Sequence, residues 1–230
     1  MTSSLNGNRG ARDAILGRVR KALGATGDRA AVLADAHAYI GAHGHGPRPR
    51  MPENLVERFI GRATDMESTI ERIADAAAIP AAVARYLDGL SLPASLAAQK
   101  SHAGVCWPEL AALDWAGAGL QLESRPTLGD DVLGITGCFC AIAETGTLVV
   151  LAGADTPTAS TLLPATHVAV LRAERIVSGM EEAFALIRNE RGALPRAVNL
   201  ISGPSRTGDI EQTVVVGAHG PYRVHILVLG

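Results

Sequence analysis

The sequence predicts a layered α/β domain with a largely parallel sheet, preceded by a helical extension. Three observations carry that reading. Residues 1–66 place apolar side chains at helical spacing. Residues 67–230 carry short apolar runs that alternate with helical segments, the pattern of strands joined by crossover helices. Turns rich in glycine, proline and hydroxyl residues separate the runs. The boundaries that follow are a helical extension over 1–66 and an α/β domain over 67–230.

The elements follow in order. In ARDAILGRVRKAL (11–23), Ile15, Val19 and Leu23 recur every four residues, with Leu16 beside them. Val32, Leu33, Ala36 and Ile40 repeat the pattern in DRAAVLADAHAYIGAH, and Leu55, Val56, Phe59, Ile60 and Ala63 in ENLVERFIGRA. Between these last two helices, GAHGHGPRPRMP reads as a loop or hinge. STIERI reads as a strand, then PAAVARYL as a helix with Pro80 at its first position, where a missing amide costs nothing. SLAAQ is a further strand candidate and PELAAL a short helix. CFCAIAETGTLVVLAG places two apolar runs around Glu144, Thr145 and Gly146, a strand–turn–strand signal. THVAVL is a strand. SGMEEAFALIRNE is a helix with Ser178 and Glu181 spaced as a capping box. AVNLIS and YRVHILVL are the last strands, with a polar loop and a short helix between them.

Composition narrows the function. The formal charge is −2, from 21 basic and 23 acidic residues, so no global field recruits nucleic acid or an acidic membrane. Three phenylalanines and three tyrosines supply no platform for stacked bases. No apolar run reaches the ~18 residues of a membrane span and the first residues lack the order of a signal peptide, so a cytoplasmic chain is expected. Cys106, Cys138 and Cys140 are too few for a disulfide framework or a four-thiolate iron–sulfur site. In an extended segment Cys138 and Cys140 would share one face as packing residues. His43-Gly-His45 has nothing nearby to complete a metal site, so no metal is expected on this chain.

The densest polar signal is NLISGPSRTGDIE (199–211). It has the order strand, small-residue loop, helix start, and ligands of open α/β sheets bind beyond the strands' carboxyl ends. Gly203 and Gly208 let backbone amides approach a ligand, and Ser202, Ser205 and Thr207 supply hydroxyls. Arg206 offers a fork to a carboxylate or phosphate, and a helix N-terminus beyond the loop adds free amides. A structural turn explains the same residues: Thr207 capping the helix, Asp209 and Glu211 in its first turn, Asp209 satisfying Arg206. Glu144, in AIAETGTLVV, is a base, acid or nucleophile if the bend buries it, and an ordinary turn residue otherwise. His219, between two glycines before the last strand, meets the polar loop if the two strands are neighbours. His167 starts a strand and reads as a structural hydrogen-bonding residue.

AIAETGTLVVL, LLPATHVAVL with ERIV, ISGPSRTGDIE and GAHGP, in this order and spacing, resemble the lactate utilisation protein C family, the LUD-domain group. The resemblance covers about residues 130–230, with ARDAILGRVRKAL similar to the family's N-terminal helix. It implies a Rossmann-like fold of the sugar-phosphate isomerase and coenzyme A transferase type. It also implies a cytoplasmic component of a three-protein system that oxidises L-lactate to pyruvate and permits growth on lactate. In that system the iron–sulfur clusters sit on partner proteins, and this chain, without a cofactor of its own, is an accessory or small-anion-binding subunit of an L-lactate dehydrogenase-type complex. The implied site joins Glu144, Thr145 and Gly146 to Ser202, Gly203, Ser205, Arg206, Thr207 and Asp209 and to His219. In the coenzyme A transferases a glutamate near a glycine turn is the nucleophile. By that analogy Glu144 would serve a stand-alone enzyme on a phosphorylated or coenzyme-A-linked substrate. The remaining alternative is a structural adaptor whose loops dock a partner.

Overall fold

A computed structural model describes residues 4–24, 28–42, 44–91, 102–208, 214–217 and 219–230. Backbone contacts divide the chain into two compact units, Met1–Arg48 and Pro49–Gly230. The first holds helices α1 (Ser4–Leu23) and α2 (Arg29–Ala42). Their predicted apolar stripes, Ile15, Val19 and Leu23 on one and Val32, Leu33 and Ile40 on the other, are exposed.

The second unit begins with α3 (Leu55–Asp65), β1 (Thr69–Ile73) and α4 (Ile79–Asp88). Asn54 starts α3 by accepting the Glu57 amide through its side chain, 3.1 Å. Pro80 lies in the first turn of α4, where it has no amide to lose. The strand candidate SLAAQ lies outside the described residues. Then come β2 (Ala103–Cys106), β3 (Gln121–Ser124), β4 (Leu133–Gly137), β5 (Cys140–Ile142) and β6 (Thr147–Leu151). PELAAL forms only one 3-10 turn, Pro108–Leu110. After α5 (Ala159–Leu162) follow β7 (Thr166–Arg172), β8 (Ile176–Val177), α6 (Met180–Arg191) and β9 (Val198–Ile201). The chain ends with β10 (Arg206–Gly208), β11 (Val214–Val216) and β12 (Arg223–Leu229).

The expected parallel sheet is present: six strands in the order β1-β12-β7-β4-β2-β3, each pair parallel. Its central strands are buried on both faces, so they read as continuous apolar runs. Alternate residues serve opposite faces. Val168, Val170 and Leu227 join Ile79, Val83 and Leu87 of α4 on one side. Ala169, Leu171, Val224, Ile226 and Val228 meet Phe59 and Ala63 of α3 on the other. There a second sheet, β8-β5-β6-β9, forms a further layer, and Ala183 and Ile187 of α6 close its outer face over Ile142 and Val149.

Three local expectations change. The expected capping box at α6, with Ser178 as its cap, does not form, because the N-cap is Gly179, which has no side chain to cap with. Cys138 and Cys140 do not share a face. The chain bends at Phe139 between β4 and β5, so Cys138 packs with the α3 layer and Cys140 with α6. The helix expected after the polar loop is instead a β-hairpin, with Arg206 opposite Val216 and Thr207 opposite Val215. Thr207 is therefore a strand residue, not a cap. The three consecutive valines Val214–Val216 favour the extended state.

Candidate functional site

The predicted loops gather at one edge of the second unit. β6 and β9 run antiparallel with Leu148 opposite Ile201, so the next residues outward, Thr147 and Ser202, come together. Their hydroxyls lie 2.7 Å apart, and Thr145 Oγ1 lies 2.7 Å from Thr147 Oγ1, making a chain of three hydroxyls. This joins the Glu144–Gly146 turn to the polar loop. Ser205 joins that loop to the one before β12: its amide donates to the Pro221 carbonyl, 2.9 Å, and its carbonyl accepts from the Gly217 amide, 2.9 Å. A Cβ on Gly220 would lie 2.9 Å from the Ser205 Cβ.

The C-terminal end of α3 is the post on which these loops rest. Gly146 (φ 69°) lies against the backbone of Arg62 and Ala63, where a Cβ would overlap the Ala63 amide. Gly203 (φ 80°) lies against the Met66 carbonyl in the same way. Only glycine combines a left-handed backbone with so close an approach. Glu67 follows Met66 with φ 63°, the one non-glycine residue with positive φ among those described. It bonds Arg206 Nη2 through Oε2 at 2.6 Å. Sequence reasoning gave Arg206 the partner Asp209, which lies outside the described residues with Ile210 and Glu211, and missed Glu67. The signal available was an acid directly after an amphipathic helix, too common to single out.

Glu144 is half-buried; its amide donates to the Ser178 carbonyl, 3.0 Å, and its carboxylate has no hydrogen-bond partner among the described residues. Thr145 and His219 are exposed, and no contact among the described residues joins Glu144, Arg206 and His219. The edge itself differs from expectation. Although the polar loop follows the carboxyl end of β9, that strand belongs to the smaller sheet. Ser205 is tied to Pro221, and Tyr222 to Ala165, residues that precede β12 and β7. The gathered loops therefore flank the amino ends of the six-stranded sheet.

The carboxyl ends carry a feature the sequence did not show: a crevice of about 800 Å³. Residues that end or follow β1, β12, β7, β4 and β2 line it, among them Ala76, Leu229, Arg172, Gly137 and Trp107. Arg175 is fixed there by bidentate bonds to Glu190, 2.6 and 3.1 Å, and by a bond to the Phe139 carbonyl, 2.9 Å. Burial raises the pKa of Cys138 and pushes that of Cys140 up to about 11, so neither is a thiolate at neutral pH.

The buried histidines are neutral. Desolvation lowers the pKa of His167 to about 4, and its Nε2 lies 2.9 Å from Thr136 Oγ1, the structural bond expected of it. His225 is likewise lowered to about 4 by burial; it stacks on Tyr86 with ring centroids 3.9 Å apart and meets Thr69 Oγ1 at 2.9 Å.

Fold and edges together define a mixed α/β protein built on a mostly parallel central sheet. The LUD domain matches residues 109–229. The chain is 30% identical over 198 residues to Lactate utilization protein C of Deinococcus radiodurans, covering 80% of this chain and 84% of that protein. It is 32% identical over 129 residues to the protein of that name from Bacillus licheniformis, and 38% over 100 residues to that from Bacillus subtilis. These two matches cover 54% and 42% of this chain and span only about half of the relatives' length, 53% and 42%. A crystal structure of a DUF162 family protein from Deinococcus radiodurans shares the fold, with TM-score 0.53 and 24% identity over 79% of this chain and 100% of that one. The chain belongs to the LUD-domain family.

Proposed function

We propose that this chain acts in lactate utilisation, as a small-anion-binding accessory subunit of a cytoplasmic system in which iron–sulfur proteins oxidise L-lactate to pyruvate. Relatives named for lactate utilisation support the process. The observation that carries the anion role is the Arg206–Glu67 pair. Its side chains are 39% and 63% exposed, so it is worth at most about 1 kcal/mol. A carboxylate ligand can take the place of Glu67 on the guanidinium, and the same gathered loops carry the hydroxyl chain of Thr145, Thr147 and Ser202. Ser205 and Gly203 shape the backbone of this edge, and His219 stands exposed next to it.

The test is growth of a strain carrying Arg206→Ala. Growth on lactate is lost while far-UV circular dichroism and the urea midpoint of the purified variant stay unchanged. Normal growth would remove Arg206 from the function. Purification of the tagged chain should bring iron–sulfur proteins with it, and their consistent absence would argue against the accessory role. The Glu144 carboxylate, without a hydrogen-bond partner among the described residues, favours a second reading, a stand-alone enzyme on a phosphorylated or coenzyme-A-linked substrate. In that case the pure chain turns over such a substrate and Glu144→Gln does not.

A further inference from the structure

The crevice at the carboxyl ends lies at the topological switch point of the sheet. β2 and β4 are neighbours, yet within the six-stranded sheet β2 is followed by β3 on one side, and β4, after the chain has passed through β5 and β6 of the smaller sheet, by β7 on the other. Connections diverging from adjacent strands leave an opening between them, the place where open α/β sheets hold ligands. Here the opening is kept clear by Gly137, the last residue of β4: a Cβ there would overlap the carboxylate of Glu109, which follows β2. That carboxylate has no hydrogen bond with a described residue, so its acceptor atoms are available over the sheet edge.

Both charged and apolar side chains line this crevice. Leu110, Leu113, Val170 and Leu229 supply apolar walls. Arg175 is used up by Glu190, but Arg172 and Arg191 line the same space and form no ion pair with a described residue. The guanidinium of Arg191 is held 5.7 Å from the Phe139 ring centre, with Arg175 4.7 Å from it. Size adds a constraint. Scaling from the ~30 Å³ share of a water molecule, an acid of about six heavy atoms occupies on the order of 100–200 Å³. The crevice, about 800 Å³, lies in the range of sites that enclose much larger ligands.

We propose that this crevice is a second ligand site, which takes an organic anion of cofactor size with an apolar body. Its acid group is held by Arg172 and Arg191, its apolar part lies on the leucine walls, and an O–H or N–H of the ligand donates to Glu109. The site is separate from the Arg206 edge and does not rest on the lactate reading.

The test compares two fluorescent probes of one shape on the full chain: 8-anilinonaphthalene-1-sulfonate, which carries an acid group, and N-phenyl-1-naphthylamine, which lacks it. The sulfonate should bind saturably, one per chain, and at least about tenfold more tightly than the neutral probe. Arg172→Gln and Arg191→Gln should each weaken the sulfonate about tenfold, the loss of one charge-assisted contact, and leave the neutral probe unchanged. Ala76→Trp, which fills the crevice from an exposed position, should exclude both. Equal affinity for the two probes in the unmodified chain would overturn the proposal without recourse to any variant. So would sulfonate binding that ignores the arginines or persists in a folded Ala76→Trp chain.

Discussion

Gly203 and Gly192 share a left-handed backbone, φ 80° and 70°, but only Gly203 has a neighbour where a Cβ would sit. Alanine at 192 therefore costs the backbone strain alone, about 1–2 kcal/mol. Alanine at 203 also pushes against the Met66 carbonyl, and about 2–4 kcal/mol in total is expected. Urea unfolding of the two variants measures the difference, and equal midpoints would show that the polar loop does not rest on α3. The same residues show what was legible. The glycines of the two turns could be picked out because backbone freedom leaves a residue type as its mark. The ion pair of Arg206 with Glu67 could not, since nothing local to either residue points to the other.

At the scale of elements, helices and strands with a strong apolar period were legible, and the short strands β2, β3, β4, β8, β10 and β11 were not. The period of α3 is set by burial of Phe59 and Ala63, each 0% exposed. Its start also obeyed a local rule, Asn54 capping Glu57, and Asn54→Ala should cost about 1 kcal/mol. α6 did not obey its own: Gly179 displaced Ser178 as the cap, so Ser178→Ala should change stability by under about 0.5 kcal/mol. Thermal or urea unfolding of both variants checks the contrast. The polar loop failed differently. Thr207, Asp209 and Glu211 have a helix-start pattern, but the valines after them pair as β11 with Arg206–Gly208, and cross-strand pairing overrode the cap signal.

For the whole molecule, His167 and His225 tie stability to pH. In the unfolded chain both take up a proton near pH 6.5; in the fold burial holds each near 4. As pH falls below 6.5 the unfolded state binds protons that the folded state refuses, so stability is full above 6.5 and is lost between 6.5 and 4. Between pH 7 and pH 5 the two should together remove roughly 3–4 kcal/mol. The urea midpoint follows this directly, and in His167→Gln the fall should shrink by about half. A midpoint independent of pH would mean that the histidines are hydrated rather than sealed in the sheet.

By itself the sequence determined the class of fold, strands β1, β5, β6, β7, β9 and β12 with helices α4 and α6, and the turns in which polar residues concentrate. These follow from periodicity and backbone preference, which act within a few residues. Only the tertiary structure decided which end of the sheet each loop reaches. β9 pairs with β6 rather than joining the six parallel strands, so a loop at its carboxyl end flanks the amino ends of the larger sheet. The crevice at the opposite edge is equally invisible in the chain, because it is made where strands far apart in sequence end side by side.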